Sequence, residues 1–323
     1  QAKWIRQKKG NFWLLPQRSD LGRAVGEENN ALVQRLRPSI RYQSKQISLN
    51  PVRAIYLSCA CLIALGLILS WTYDQPYSAL LILPLLVAAG VYTLSPQIMW
   101  WWWKSNPPDL DISLAPLLDR FDLYRRLDLD GKRDFRRRTF LLKEATDIEG
   151  KAIEHFPEDV KVMVAASAAT ITFHREEFLL KGFEKVIFYR HFFPSPEFEV
   201  LHSSELYPKD GAIIWTLNVF LRSCIEPKKY LHLGLYEYSR ALMHLDQGLR
   251  SKLEALALDY SAITQITSFP EEKLKEFIGL EELDLAAITL VLYFTHRDKM
   301  PAELLAGLDE LLQPQTVKKL MLT

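Results

Sequence analysis

The sequence predicts an α+β protein: a two-helix transmembrane hairpin followed by a helix-dominated soluble part with a small sheet. Three observations carry this reading. Residues 54–73 and 77–103 contain no Asp, Glu, Lys or Arg. From Leu114 onward, apolar residues recur at three- and four-residue spacings, the mark of amphipathic helices. Two runs rich in β-branched and aromatic residues, 185–193 and 212–220, read as strands.

Composition limits the classes of function. The 323 residues carry a net charge of +1, which gives no global attraction to nucleic acid. Of the three cysteines, Cys59 and Cys61 fall in an apolar run and Cys224 stands alone. Neither a disulfide framework nor a cysteine-based zinc site is implied, and the soluble part reads as belonging to a reducing compartment. No secretory signal pattern opens the sequence.

Residues 1–53 hold eleven Lys or Arg against three Asp or Glu, with Trp4, Phe12, Trp13, Leu14 and Leu15 among them. This reads as a basic cytoplasmic segment able to lie on a membrane surface. Each apolar run that follows is long enough to cross about 30 Å of hydrocarbon at 1.5 Å per residue. Only Asp74-Gln75-Pro76 separates them, so both ends of the hairpin face one side. Arg53 precedes the first span, Lys104 follows the second, and the turn has no Lys or Arg, which places that side in the cytoplasm. Pro84 and Pro96 are expected to bend the second span. Trp100, Trp101, Trp102 and Trp103 read as an interfacial aromatic belt, and because four neighbours point all round a helix they are also candidate partner-binding residues.

Residues 104–145 read as juxtamembrane helices. One carries Leu114, Leu117, Leu118, Phe121, Tyr124 and Leu127 and stops near Asp130-Gly131; the next carries Phe135, Phe140 and Leu141. Its basic patch, Arg133 and Arg136 to Arg138, suits lipid headgroups or neighbouring Asp side chains. In the domain from 146 to 323, a buried Ala-rich helix is expected over 159–173. Further helices are expected near 249–260, 271–277, 281–294 and 302–312.

The stretch His232-Leu233-Gly234-Leu235-Tyr236-Glu237-Tyr238-Ser239-Arg240-Ala241-Leu242 has the outline of a metallopeptidase helix. In H-E-x-x-H, two His one turn apart face a single zinc ion and the Glu between them polarises a water. Here those His positions hold Tyr236 and Arg240, and Glu237 remains. This stretch, together with Leu-Tyr-Arg-Arg-Leu at 123–127, Phe135-Arg136-Arg137-Arg138-Thr139-Phe140-Leu141, the helix at 160–173 and Gly211-Ala212-Ile213-Ile214-Trp215, resembles the MtfA-like, glucose-regulated zincin peptidases of bacteria, named for an anti-repressor protein. The similarity runs from about residue 117 to about 312.

The resemblance implies a bacterial zincin-like domain with an edge strand beside the active helix; the membrane hairpin is an addition to the usually soluble family pattern and places the chain in the bacterial inner membrane. Zinc would be held by two His of that helix and an acid of a later one. In this chain the later position falls near Leu290 to Leu292, where no carboxylate occurs; Asp284 is the nearest acid upstream.

The chemistry of the residues leads the same way. Arg has no lone pair to give a metal and its fixed charge repels one, and Tyr with a pKa near 10 is a poor ligand. The geometry predicts that Arg240 pairs with Glu237, three residues away on one helix face. No metal and no cofactor is expected. The expected function is that of a catalytically inactive, peptidase-like binding or scaffold subunit of a membrane complex, with other membrane proteins and the bilayer as partners and no nucleic acid. Ile213, Ile214, Trp215, Tyr236 and Tyr238 are its candidate peptide-binding residues, by strand addition along 212–220. The alternative is an active membrane-tethered zinc protease with non-standard ligands such as His232 or His244.

Overall fold

The two apolar runs form helices α1 (Pro51–Tyr73) and α2 (Ser78–Ser105) in a computed structural model that describes residues 50–73, 78–111, 113–151, 153 and 156–312. Most of the expected basic segment, the turn Asp74-Gln75-Pro76 and residues 313–323 lie outside the described residues. Asn50 starts α1 by accepting the Arg53 amide at 2.8 Å. Both helices are long and apolar enough to cross a membrane. Their side chains face outward, with Ile68 62% and Leu83 64% exposed, an apolar surface of a kind that soluble proteins rarely leave to water. The hydroxyls of Ser58, Thr72, Thr93 and Ser95 donate back to carbonyls of their own helices, leaving no polar group dependent on solvent at those positions. The two helices meet at Gly66, where a Cβ would stand 3.0 Å from that of Leu80, so a small residue sets their approach. Helix α2 continues through both Pro84 and Pro96.

After Pro107-Pro108 the chain enters short helices α3 (Ala115–Leu118) and α4 (Asp122–Arg126), then α5 (Leu129–Ala145). The single helix expected from Leu114 to Asp130-Gly131 is thus divided. Phe121 adopts an extended backbone between the two pieces, and the Asp128 carboxylate caps α5 through the Gly131 amide at 2.7 Å. Asp130 and Gly131 therefore begin a helix instead of ending one. The basic patch on α5 is largely turned to internal use. Arg136 forks onto Asp109 at 3.0 and 3.3 Å. Arg138 reaches the carbonyls of Phe173 and Arg175 at 3.1 and 2.6 Å, between the rings of Phe173 and Phe178.

The sheet has four strands in the order β1 (Asp147–Lys151), β2 (Lys185–Tyr189), β4 (Ala212–Thr216) and β3 (Ser204–Tyr207). The first three are parallel, and β3 is an antiparallel edge strand. Alternation places Val186, Phe188, Leu206, Ile213 and Trp215 on the buried face. The strand expected over 212–220 stops at Thr216, and helix α7 (Leu217–Ile225) follows directly.

Helix α8 (Leu233–Leu245) packs on β3 and against α6 (Glu158–Thr172). Thirteen of the fifteen residues of α6 are buried. Ser167, Thr170 and Thr172 fit there because each hydroxyl bonds a carbonyl four residues back at 2.8 Å. Five helices complete the domain: α9 (Gln247–Ala255), α10 (Tyr260–Thr267), α11 (Glu271–Ile278), α12 (Leu285–Thr295) and α13 (Ala302–Leu312). Helix α12 is apolar all round and buried at ten of eleven positions, so it is a core helix. Leu117, Phe135 and Leu142 of the juxtamembrane helices belong to the same hydrophobic core as Trp215, Leu290 and Leu312.

Candidate functional site

Helix α8 is placed by its own ends and by one glycine. His232 is its N-cap, with the ring nitrogen Nδ1 accepting the Leu235 amide at 3.3 Å. Asp246 ends it and at once caps α9 through the Leu249 amide at 2.9 Å. At Gly234 a Cβ would stand 2.8 Å from that of Ser167, so only glycine lets α8 lie this close to α6. The helix thereby reaches the sheet, where Ser204 of the edge strand donates to Glu237 Oε1 at 2.5 Å.

Glu237 is wholly buried, and its other oxygen, Oε2, accepts from Arg240 Nη1 at 2.8 Å. The contact anticipated from the i, i+3 spacing is present. Arg240 lies over the Tyr236 ring at 5.5 Å and keeps 23% of its side chain exposed. The Tyr236 hydroxyl accepts the Asp284 amide at 3.1 Å, and Asp284 caps α12 through the Ala287 amide at 3.0 Å. Burial pushes the Glu237 carboxyl up, with Arg240 and Ser204 opposing. Burial also works against the Arg240 cation, but Glu237, Tyr236 and Asp284 outweigh it and hold the guanidinium above its ordinary value. Burial likewise raises the Tyr236 phenol.

This constellation does not fit a zinc ion. Both oxygens of Glu237 are committed, Arg240 brings a positive charge to the helix face where a cation would sit, and the Tyr236 phenol is held further from the anionic form a metal needs. His232 and His244 are placed apart from it: His232 packs on Phe121 and caps α8, and His244 meets the edge of Phe183. Burial lowers the His232 pKa to about 3. Residues Leu290 to Leu292 lie in the buried helix α12. Among the described residues, no three His, Cys, Asp or Glu side chains converge as a metal site would require.

No family model, curated protein or solved structure matches this chain.

The strand-addition site is corrected by the topology. Strand β4 is central, paired with β2 on one side and β3 on the other, so Ile213, Ile214 and Trp215 have no open backbone edge to offer. Ile213 and Trp215 are 0% exposed, and Ile214 faces the opposite side of the sheet. The edge strand beside it, β3, is also closed, with Ser204 and Glu205 at 0% and Leu206 at 6% exposure. Strand addition needs an accessible row of amides and carbonyls, and neither β4 nor β3 presents one; the sheet's other edge, β1, is the more exposed.

Other expected residues are distributed differently. Trp101 is 67% exposed, whereas Trp103 meets the edge of Phe140 at 5.5 Å and Trp100 lies under Lys104. Tyr238 is buried against Trp215. Trp100 and Trp103, with Tyr238 distant from them in sequence, line one open cavity of about 660 Å³.

Sequence reasoning missed Ser204, His202 and Glu205, and it did not place Asp284 beside Tyr236. His202 Nε2 lies 3.1 Å from Glu205 Oε2, while Ser195 donates to Glu205 Oε1 at 3.0 Å and His202 Nδ1 contacts the Val200 carbonyl at 2.9 Å. The His202–Glu205 contact needs a proton between the two groups. These residues come together through strand pairing and loop closure, for which no local motif exists.

Proposed function

We propose that this chain is a membrane-anchored pseudopeptidase: a zincin-like domain without metal or catalysis, serving as a binding or scaffold subunit of a bacterial inner-membrane complex. The observation that carries the reading is the buried Ser204–Glu237–Arg240 arrangement. A motif glutamate acting as a general base must face a water, and this one is wholly buried and bonded at both oxygens. The resemblance implies an edge strand beside the motif helix; the strand expected there, 212–220, is central, and it is β3 that meets the helix through Ser204.

The two apolar helices and the basic residues flanking them support a hairpin with both ends in the cytoplasm. Partner binding falls to surfaces other than the closed β3 edge. The exposed Trp101, at the end of the second span, is the first candidate.

A peptidase assay on the full chain in bilayers, using a mixed peptide library, tests the proposal. Wild type and Glu237→Gln should give the same background turnover. Cleavage by wild type that Glu237→Gln abolishes would show that the enzyme reading is correct.

A further inference from the structure

Strand β1 is the sheet edge opposite β3, with β2 on one side and no described strand on the other. The Asp147 amide donates to the Glu184 carbonyl at 2.8 Å, so the main-chain groups of residues 147, 149 and 151 turn toward β2. Those of Ile148 and Gly150 turn outward. The chain after β1 doubles back over the strand: a Cβ on Gly150 would stand 2.8 Å from that of Ile153 and 2.8 Å from Phe156 Cε2. Side chains leave a sheet through its faces, so this cover lies on one face of β1 and not along its outer edge.

An open edge is a template for a further strand. The sequence of β1, Asp147-Ile148-Glu149-Gly150-Lys151, suits a second copy of itself. When two copies run antiparallel about a two-fold axis at Glu149, Ile148 of each faces Gly150 of the other, and these pairs exchange the outward main-chain bonds. Asp147 then stands opposite the second copy's Lys151 at both ends, an exposed acid against an exposed base. A parallel copy in the same register would set acid against acid and base against base. The one like-charged pairing in the antiparallel register is Glu149 with Glu149, and there each carboxylate already meets Lys185 Nζ of its own chain at 3.0 Å. On the other face, Ile148, Ile153 and Phe156 are partly buried apolar residues at this edge, which a second copy would cover further.

We propose that β1 is a self-association surface: two copies of the chain pair through it, antiparallel about Glu149, and join their sheets into one. Ile148 and Gly150 supply the hydrogen bonds, and Asp147 and Lys151 fix the direction and register. The inference depends neither on membrane insertion nor on the loss of catalysis.

Cysteine cross-linking and sedimentation of the full chain in detergent micelles test it. The cross-linking variants are made in a Cys59→Ala, Cys61→Ala, Cys224→Ala background, which removes every native thiol. Glu149→Cys brings two thiols together across the axis, with Cα atoms about 4.5 Å apart, and should form a disulfide-linked dimer under mild oxidation. Lys151→Cys sets the two thiols about 14 Å apart, at a rise of about 3.4 Å per residue, and should not. In sedimentation, Lys151→Asp should weaken the dimer by about tenfold, because it opposes acid to acid at both ends, and Asp147→Lys with Lys151→Asp should restore it. A wild type that stays monomeric at about 100 µM, a dimer indifferent to Lys151→Asp, or cross-linking at 151 equal to that at 149 would overturn the proposal.

Discussion

At the scale of the residue, Glu237 and Arg240 form an ion pair whose two members differ in exposure. Glu237 is fully enclosed and Arg240 keeps 23% of its side chain in solvent. Removing the cation alone strands a buried carboxyl, so Arg240→Ala should cost about 3–5 kcal/mol in chemical denaturation. Replacing both members with apolar residues, Glu237→Leu with Arg240→Met, should cost far less, because the desolvation of both charges disappears with the pair. A double mutant as unstable as Arg240→Ala would mean that packing, and not the charge, dominates at this site. His232 gives a pH signature. Its pKa falls from 6.5 to about 3 on folding, so the unfolded chain binds more protons between those values. Its contribution is complete above pH 6.5 and is lost as the pH falls toward 3, with a slope of at most about 1.4 kcal/mol per pH unit. Asn at position 232 keeps a capping acceptor without titrating. His232→Asn should therefore flatten the acid limb of a stability profile, a limb to which His174, lowered to about 4, also contributes.

At the scale of the element, α8 depends on its approach to α6. Gly234→Ala forces a Cβ against Ser167 and should destabilise by about 1–3 kcal/mol in equilibrium denaturation. Ser167→Gly should recover part of that loss, which a merely helix-propensity effect would not allow, since alanine favours helix over glycine. What was legible in the chain follows the range of the interactions. The apolar runs of α1 and α2 and the Glu237–Arg240 spacing are local, and both are readable from neighbouring residues. Strand β1, Asp147-Ile148-Glu149-Gly150-Lys151, carries three charged residues and no β-branched run, so nothing local marks it. Strand β3 contains the fully buried Glu205, which reverses the usual polar-outward pattern because His202 and Ser195 satisfy it from a loop. The run 212–220 keeps its apolar character across the boundary at Thr216, so composition does not show where strand becomes helix.

At the scale of the whole molecule, the hairpin and the domain are joined by more than a linker. The Trp103–Phe140 contact seats the end of α2 against the domain. Topology reporters should therefore find residue 75 on one side of the membrane and the chain end at 323 on the other. Both on one side would contradict the hairpin. We propose that the internal Glu237–Arg240 pair stands where a zincin would hold its metal. The most direct measurement is the zinc content of the full chain purified without chelator and washed free of loosely bound ions. Well under about 0.1 zinc per chain is expected, and no more after Tyr236→His with Arg240→His, because no carboxylate occurs among Leu290, Val291 and Leu292 to complete the set. About one zinc per wild-type chain, lost on Glu237→Gln or His232→Asn, would contradict it.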